Sequence, residues 1–292
     1  MSEGERVLRS ARGRRAIEEW ALVLAAAGVP HRVARTASGW RLIVAASDAE
    51  RASTALDPYD AERESAPAAP EAPEYGRTSV GLVVTTLLVA FYAVTGPADA
   101  GSTWARAGSA DAELIVRGEP WRAVTALTLH ANPAHLLGNA VASAVFVTAV
   151  GRALGPGLGG LLVLASGAGG NVLNALLQGA PHSAVGASTA VFGAVGVLGG
   201  LQFGRRRRRR RRGAWLPVAG SLALLALLGS DREADIVAHL FGLLVGGVLG
   251  VAAALLVARP PGRAAQWMLA LAALSAVAGS WVVALTRARV LL

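Results

Sequence analysis

A serine and a histidine that lie far apart in this sequence occupy similar positions in two apolar segments. Ser188 follows Gly186 and Ala187 where one segment begins, and His239 follows Ala238 near the beginning of another. A serine hydroxyl is unreactive at neutral pH unless a base removes its proton, and imidazole is a common base for this purpose. If the fold brings the two side chains together, they predict nucleophilic catalysis at the mouth of two helices.

The composition indicates a membrane protein. The chain has 292 residues, of which 53% are hydrophobic and only 16% are charged, and its mean hydropathy is +0.47. It has no cysteine, which excludes structural disulfides, thiolate catalysis and cysteine-ligated metal sites. Paired intramembrane aspartates and a His-Glu-x-x-His motif are also missing, which argues against aspartyl and zinc membrane proteases. We expect no metal and no cofactor.

Seven apolar segments follow Thr78, separated by short polar or glycine- and proline-containing breaks. Most of them approach the roughly 20 residues that a helix needs to cross a bilayer. Their limits are about 79–97, 134–153, 157–178, 184–203, 214–230, 235–258 and 265–286. The sequence therefore predicts an all-α polytopic membrane domain over residues 78–292.

The first 60 residues are typical of a small soluble α+β module. The pattern predicts a helix over 15–27, two strands over 30–36 and 40–45, and a second helix capped by Asp48. Its candidate core residues are Trp20, Leu22, Trp40, Leu42 and Val44. Residues 61–77 contain three prolines among alanines and glutamates, which indicates a linker.

Arginine distribution predicts the orientation, since arginine and lysine near membrane ends tend to stay on the cytoplasmic side. Eight consecutive arginines, Arg205 to Arg212, supply nearly all of the net charge of +9. They adjoin an apolar segment and lack interleaved aromatic residues, so we interpret them as an anchor near anionic headgroups and predict no nucleic-acid binding. With a cytoplasmic amino terminus, Ser188 and His239 both lie close to the non-cytoplasmic face.

Four stretches resemble the rhomboid family of intramembrane serine proteases, in the family's order and approximate spacing over residues 78–258. Each stretch alone is a weak signal, but together they are specific. They are Glu119-Pro120-Trp121-Arg122, His130-Ala131-Asn132-Pro133-Ala134-His135-Leu136-Leu137-Gly138-Asn139, Gly186-Ala187-Ser188, and Ala238-His239 with Gly242 and Gly246. The resemblance implies a core of six transmembrane helices, to which the seventh segment adds one at the carboxy terminus.

The resemblance also implies a role for each site residue. Ser188 would be the nucleophile and His239 the base, without a carboxylate to orient the ring, and Phe192 would pack against that ring. His135 and Asn139, with the backbone N–H of Ser188, would stabilise the oxyanion. His135 and Asn139 are four residues apart and so share a helix face. His182, in the loop before the fourth segment, is expected to be solvated.

We therefore predict a serine endopeptidase that cleaves transmembrane proteins near their non-cytoplasmic ends, in a prokaryotic plasma membrane. One departure is Thr189, which stands where the family most often has glycine. A catalytically silent rhomboid-like protein that binds membrane-protein clients is the alternative, although such proteins usually lack the serine or the histidine. A transporter or channel is disfavoured, because acidic residues within the spans and corresponding broken helices are not evident.

Overall fold

The computed structural model describes residues 4–11, 13–65, 74–99, 101–179, 181–208, 219–221 and 235–290. The chain divides into two compact units, residues 1–71 and residues 72–292. The second unit contains every residue that the sequence assigns to the candidate site.

The amino-terminal unit packs two helices on a three-stranded antiparallel sheet of order β1-β3-β2. Its elements are β1 (Glu5–Ala11), α1 (Arg14–Ala26), β2 (His31–Thr36), β3 (Gly39–Ala45) and α2 (Ala49–Ser65), with a 3₁₀ turn at Ala46–Asp48. The predicted helices and hairpin occur at these positions, whereas β1 was not predicted. Helix α2 continues to Ser65, so it enters the region that was predicted as linker.

The core of this unit differs from the predicted one at one residue. Leu42 and Val44 are buried as expected, and Trp20 and Trp40 pack against them from partly buried positions. The prediction for Leu22 was wrong, because this side chain is 72% exposed. It follows Ile17 and precedes Leu24, which are fully buried, and its position on α1 points away from the face that those two share.

The second unit is mostly helical, and four of the helices among its described residues are long and apolar enough to span a membrane. These four are Pro133–Leu154, Pro156–Gln178, Ile236–Leu256 and the last helix over Arg263–Ala288, while Val80–Thr95 is a shorter apolar helix. The helices in chain order are α3 (Val80–Thr95), α4 (Thr103–Gly108), α5 (Ala112–Val116), α6 (Arg122–Thr125), α7 (Pro133–Leu154), α8 (Pro156–Gln178), α9 (Ser188–Arg208), α10 (Ile236–Leu256) and α11 (Arg263–Val290).

Six of the seven predicted segments coincide with helices α3, α7, α8, α9, α10 and α11. The predicted fifth segment, 214–230, lies outside the described residues except for helical residues 219–221. The second half of the preceding arginine run, residues 209–212, also lies outside them. A total of seven spans therefore stays a prediction.

Helices α9 and α10 touch backbone to backbone along most of their length. A Cβ added to Gly242, Gly246 or Gly250 of α10 would lie too close to a backbone carbonyl of α9. The carbonyls are those of Thr189, Gly193 and Val197, and α9 presents Gly196 and Gly200 to α10 in the same way. Small residues at intervals of four allow this approach in lipid, where shape complementarity and dispersion hold helices together. The glycine pattern thus brings the helix of Ser188 into contact with the helix of His239.

A folded loop connects α3 to α7 and packs mainly against α8 and α11. Within it, the buried side chain of Arg122 donates from Nε to Glu119 Oε2 (2.5 Å) and from Nη1 to the carbonyl oxygens of Arg106 and Ser109 (3.0 and 3.2 Å). Strand β4 (Ala110–Asp111) of this loop pairs with β5 (Ser183–Ala184), which precedes α9. The segment that leads to Ser188 is therefore held in place by the loop.

Candidate active site

Ser188 and His239 form a hydrogen bond between two helix beginnings. Ser188 is the first residue of α9, and His239 is the fourth residue of α10. Ser188 Oγ lies 2.8 Å from His239 Nε2, within range for proton transfer from the hydroxyl to the ring. The imidazole is only 5% exposed. The structure thus brings together the two side chains that the sequence singles out.

Phe192, one turn below Ser188 on α9, packs against the ring of His239. The two ring centroids are 4.6 Å apart, and the ring planes make an angle of 32°. The other ring nitrogen, His239 Nδ1, is buried without a hydrogen-bond partner among the described residues. Within that part of the chain, the ring is oriented by the serine, the phenylalanine and its own helix.

His135 and Asn139 lie beside Gly186, two residues before the serine. A Cβ added to Gly186 would lie 2.7 Å from both Cε1 and Nε2 of His135 and 3.6 Å from Nδ2 of Asn139. Gly186 has a φ of 126°, a backbone conformation that favours glycine. Both the backbone conformation and the close approach of His135 therefore require glycine here.

The first turns of α7 carry these two side chains, and the helix begins with a side-chain cap. Asn132 Oδ1 accepts from the backbone N–H of His135 (2.8 Å), and Pro133 occupies the first turn, where its missing N–H is harmless. Asn139 Nδ2 donates one hydrogen to the carbonyl of His135 (3.1 Å). An amide carries two such hydrogens, so the second remains for another acceptor.

His130 lies behind His135 and is fully buried. The two rings are 5.3 Å apart in an edge-to-face arrangement. Burial, reinforced by the nearby charge of His135 and opposed by the backbone of Thr128, lowers the pKa of His130 from 6.5 to about 4. His130 is therefore neutral at physiological pH and supports the loop that carries the site.

Thr189 fills a space that glycines of two other helices leave open. It is 4% exposed, and an added Cβ on Gly170 of α8 or Gly242 of α10 would lie 2.7 or 3.0 Å from its Cγ2. The larger side chain after the serine is thus accommodated by α8 and α10. The first turn of α9 keeps its helical hydrogen bonding, since Val191 N–H donates to the carbonyl of Ala187 (2.9 Å).

A polar cluster next to the dyad was missed by the sequence analysis. His182, which was expected to be solvated, is partly buried, and its Nε2 lies 2.6 Å from Oδ2 of Asp235, the residue that caps α10. Asn174 and Gln178 of α8 also reach the carboxylate of Asp235. The available signal was an aspartate four residues before the histidine, directly ahead of an apolar run, where helix caps occur.

An open cavity of about 410 Å³ adjoins the segment before the serine. It lies between the loop and β5, and its lining includes Arg106, Asp111, Arg122 and Ser183. These side chains are polar or charged, and so the cavity is suited to water.

Comparison with known proteins finds similarity in this unit. The family model of the rhomboid domain matches residues 117–256. Over 91 residues the chain is 38% identical to the rhomboid protease GluP of Bacillus subtilis (strain 168), a stretch that covers 31% of this chain and 18% of GluP. Over 137 residues it is 32% identical to YdcA of the same organism, covering 46% of this chain and 68% of YdcA.

A plant protein shows a similar match. Over 151 residues the chain is 34% identical to RHOMBOID-like protein 6, mitochondrial, of Arabidopsis thaliana, covering 51% of this chain and 49% of that protein. The chain thus spans less than two thirds of GluP and of the plant protein.

Proposed function

Because this chain belongs to the rhomboid family, we propose that it is an intramembrane serine endopeptidase that uses Ser188 and His239 as a catalytic dyad. The observation that supports this function most directly is the 2.8 Å hydrogen bond between Ser188 Oγ and His239 Nε2. It joins two residues that are 51 positions apart, on helices whose glycines allow them to touch.

In the proposed reaction, His239 Nε2 takes the hydroxyl proton of Ser188 as Oγ attacks the carbonyl carbon of the scissile peptide bond. The tetrahedral intermediate collapses when the ring returns this proton to the leaving amine, so that the C–N bond breaks and an acyl-serine remains. Water, activated by the same ring, then hydrolyses the ester and regenerates the hydroxyl. The adjoining Phe192 ring stabilises the imidazolium that forms in each half-reaction.

The oxyanion would be stabilised by groups around Gly186 and Ser188. The backbone N–H of Ser188 lies in the first turn of α9, where helix N–H groups lack intrahelical partners. His135 and Asn139 add side-chain donors at Gly186. Removal of one such donor typically lowers kcat by about 10²- to 10³-fold, and we expect losses in that range for His135→Ala and Asn139→Ala.

The directions of three helices support substrate entry on the non-cytoplasmic side. His135, Ser188 and His239 all lie in the first two turns of α7, α9 and α10, so these helices run in the same direction away from the site. Arg152 is 17 residues beyond His135, about 25 Å along the helix axis. With that arginine and the run Arg205 to Arg212 on the cytoplasmic side, near anionic headgroups, the dyad opens to the opposite side.

The proposed substrates are transmembrane proteins of a plasma membrane, cleaved near their non-cytoplasmic ends. A peptide bond inside a helix is shielded by its own turn, so the substrate helix must unwind before Ser188 can attack. Helix-destabilising residues near the cleaved bond should therefore increase the rate. We propose no nucleic-acid partner.

The test is cleavage of a single-span substrate in proteoliposomes that contain the purified full-length chain. Wild type should cleave, whereas Ser188→Ala and His239→Ala should lose at least about 10³-fold in kcat, because each removes one half of a unit that acts together. The matched control is Ser166→Ala, which changes a buried membrane serine whose Oγ donates to the carbonyl of Val163 (2.8 Å). That variant should retain activity.

Two results would contradict the proposal. Equal cleavage by wild type and both dyad variants would exclude Ser188 and His239 as the reacting pair. Absence of cleavage by wild type across substrates with and without a helix-breaking residue would favour the silent, client-binding alternative.

A further inference from the structure

The carboxylate of Asp235 makes hydrogen bonds within its own helix, α10, and also to residues outside that helix. Its Oδ1 accepts from the backbone N–H of Ala238 (3.0 Å), and its own carbonyl accepts from the N–H of His239 (3.0 Å). Asp235 thus forms the first turn of α10, the turn that carries the proposed base. Asp235 is an N-cap, a position where Asp, Asn and Ser serve about equally well.

The second oxygen of Asp235 is occupied by groups outside α10. His182 Nε2 lies 2.6 Å from Oδ2, and Asn174 Nδ2 donates to the same oxygen at 2.7 Å. Both are N–H donors that converge on one carboxylate oxygen. A residue that caps the beginning of a helix needs only one carboxylate oxygen for the cap. The bonds to the second oxygen of Asp235 therefore do something other than cap α10.

His182 begins the segment that leads to the proposed nucleophile. Its carbonyl accepts from the N–H of Ala112 (2.9 Å), the next two residues form β5, and Gly186 N–H donates to the carbonyl of Ala126 (2.9 Å). The segment from residue 182 to Ser188 is thus fixed at several points. Through the ring of His182, its beginning is tied to the helix that carries His239.

Asn174 adds a third element to the same junction. It lies on α8, is 3% exposed, and accepts at Oδ1 from Gln178 Nε2 (3.1 Å). Asn174 and Gln178 are one turn apart, so both belong to the same face of α8. The junction therefore joins α8, α10 and the segment before α9.

We propose that Asp235 is a positioning residue, which holds the helix of His239 in register with the Ser188 segment through His182 and Asn174. The inference rests on the proposed function. A hydrogen bond between nucleophile and base is sensitive to displacements of about 1 Å, so losing this junction should lower kcat even when α10 remains capped.

The experiment separates capping from positioning by comparing variants of Asp235 and His182 in the full-length protein. Asp235→Ser keeps a good cap but is too short to serve as acceptor for His182 and Asn174. We expect its kcat to fall about 10-fold with KM within about twofold, and its reaction rate with a fluorophosphonate to fall by the same factor. His182→Ala should show the same losses.

Three further variants make the result specific. His182→Gln, whose terminal amide also donates to a carboxylate, should recover most of the lost kcat. The double variant Asp235→Ser/His182→Ala should be no slower than the slower single variant, because both remove the same link. Thr86→Ala removes a side-chain hydrogen bond to the carbonyl of Leu82 at an exposed position of α3, a helix that carries none of the proposed site residues, and should leave kcat unchanged.

The outcomes distinguish this inference from the function on which it rests. Wild-type kcat in Asp235→Ser, or multiplicative losses in the double variant, would overturn the positioning role while the dyad stands. A wild-type protein that neither cleaves nor reacts with the fluorophosphonate would overturn the proposed function, and the inference with it.

Discussion

His130 is the residue whose burial most directly predicts a pH effect. Its lowered pKa of about 4 arises mainly from burial, so the folded protein resists a proton that the unfolded chain binds below about pH 6.5. Stability should therefore fall as the pH decreases from about 6.5 to 4. At pH 4.5 this one group should lower the free energy of unfolding by about 2 to 3 kcal/mol relative to pH 7.

The variant that tests this is His130→Phe, which keeps an aromatic ring and cannot be protonated. Its free energy of unfolding, followed by tryptophan fluorescence in detergent, should decrease less between pH 7 and pH 4.5 than that of wild type. His31→Phe, in the amino-terminal unit, controls for the loss of a histidine in general. An identical pH dependence in wild type and His130→Phe would contradict the assignment.

Much of the site is accessible from the sequence, because its residues carry signals that do not depend on the fold. Ser188 and His239 stand out as polar groups in apolar segments, and His135 and Asn139 as a pair at helical spacing. The contact of His182 with Asp235 was not predictable from the sequence. A loop histidine is usually solvated, and its bond to Asp235 requires two segments more than 50 residues apart to meet.

At the scale of helices, the close packing of α9 against α10 predicts different tolerances for two adjacent glycines. A Cβ on Gly246 would overlap the backbone of Gly193, whereas a Cβ on Gly247 would have no atom within 4 Å. Gly246→Ala should destabilise the protein by about 1 to 3 kcal/mol, since an inserted methyl forces the helices apart. It should also reduce kcat, because the same contact holds Ser188 near His239.

Gly247→Ala is the matched control and should leave both stability and kcat close to wild type. The measurements are thermal unfolding in detergent and single-span substrate cleavage. Equal effects of the two substitutions would mean that α9 and α10 do not pack through the face that contains Gly246.

The helices were predictable from their apolar length, but not every element was. Strand β1, Glu5–Ala11, is rich in charge and forms a strand because β3 supplies its hydrogen-bond partners. Leu22 is apolar, yet its position on α1 turns it away from the sheet. Both cases depend on tertiary contacts, which override local composition.

For the whole molecule, Gln266 links the last helix to the turn between α7 and α8. Its Oε1 accepts from the N–H groups of Gly157 and Leu158 (2.8 and 2.9 Å), and its Nε2 donates to the carbonyl of Leu154 (2.8 Å). Gln266→Leu would leave these buried backbone groups without partners, each worth about 1 to 3 kcal/mol. We expect a clear decrease in the unfolding temperature.

The control for this substitution is Met268→Ala on the same helix, a side chain that is 70% exposed. It should unfold close to the wild-type temperature. If Gln266→Leu were as stable as Met268→Ala, the hydrogen bonds of Gln266 to this turn would not stabilise the protein. The apolar segment 265–286 predicts that helix, but nothing local to it indicates which helix ends Gln266 would cap.

The most direct test of the dyad is covalent labelling of the nucleophile. It asks which residue is labelled and whether the labelling requires His239. We predict that a fluorophosphonate reacts with the full-length protein once, that fragmentation mass spectrometry locates the adduct on Ser188, and that His239→Ala suppresses the reaction by at least about 10³-fold. An adduct on a different residue, or equal labelling of Ser188 in wild type and His239→Ala, would contradict nucleophilic catalysis by this pair.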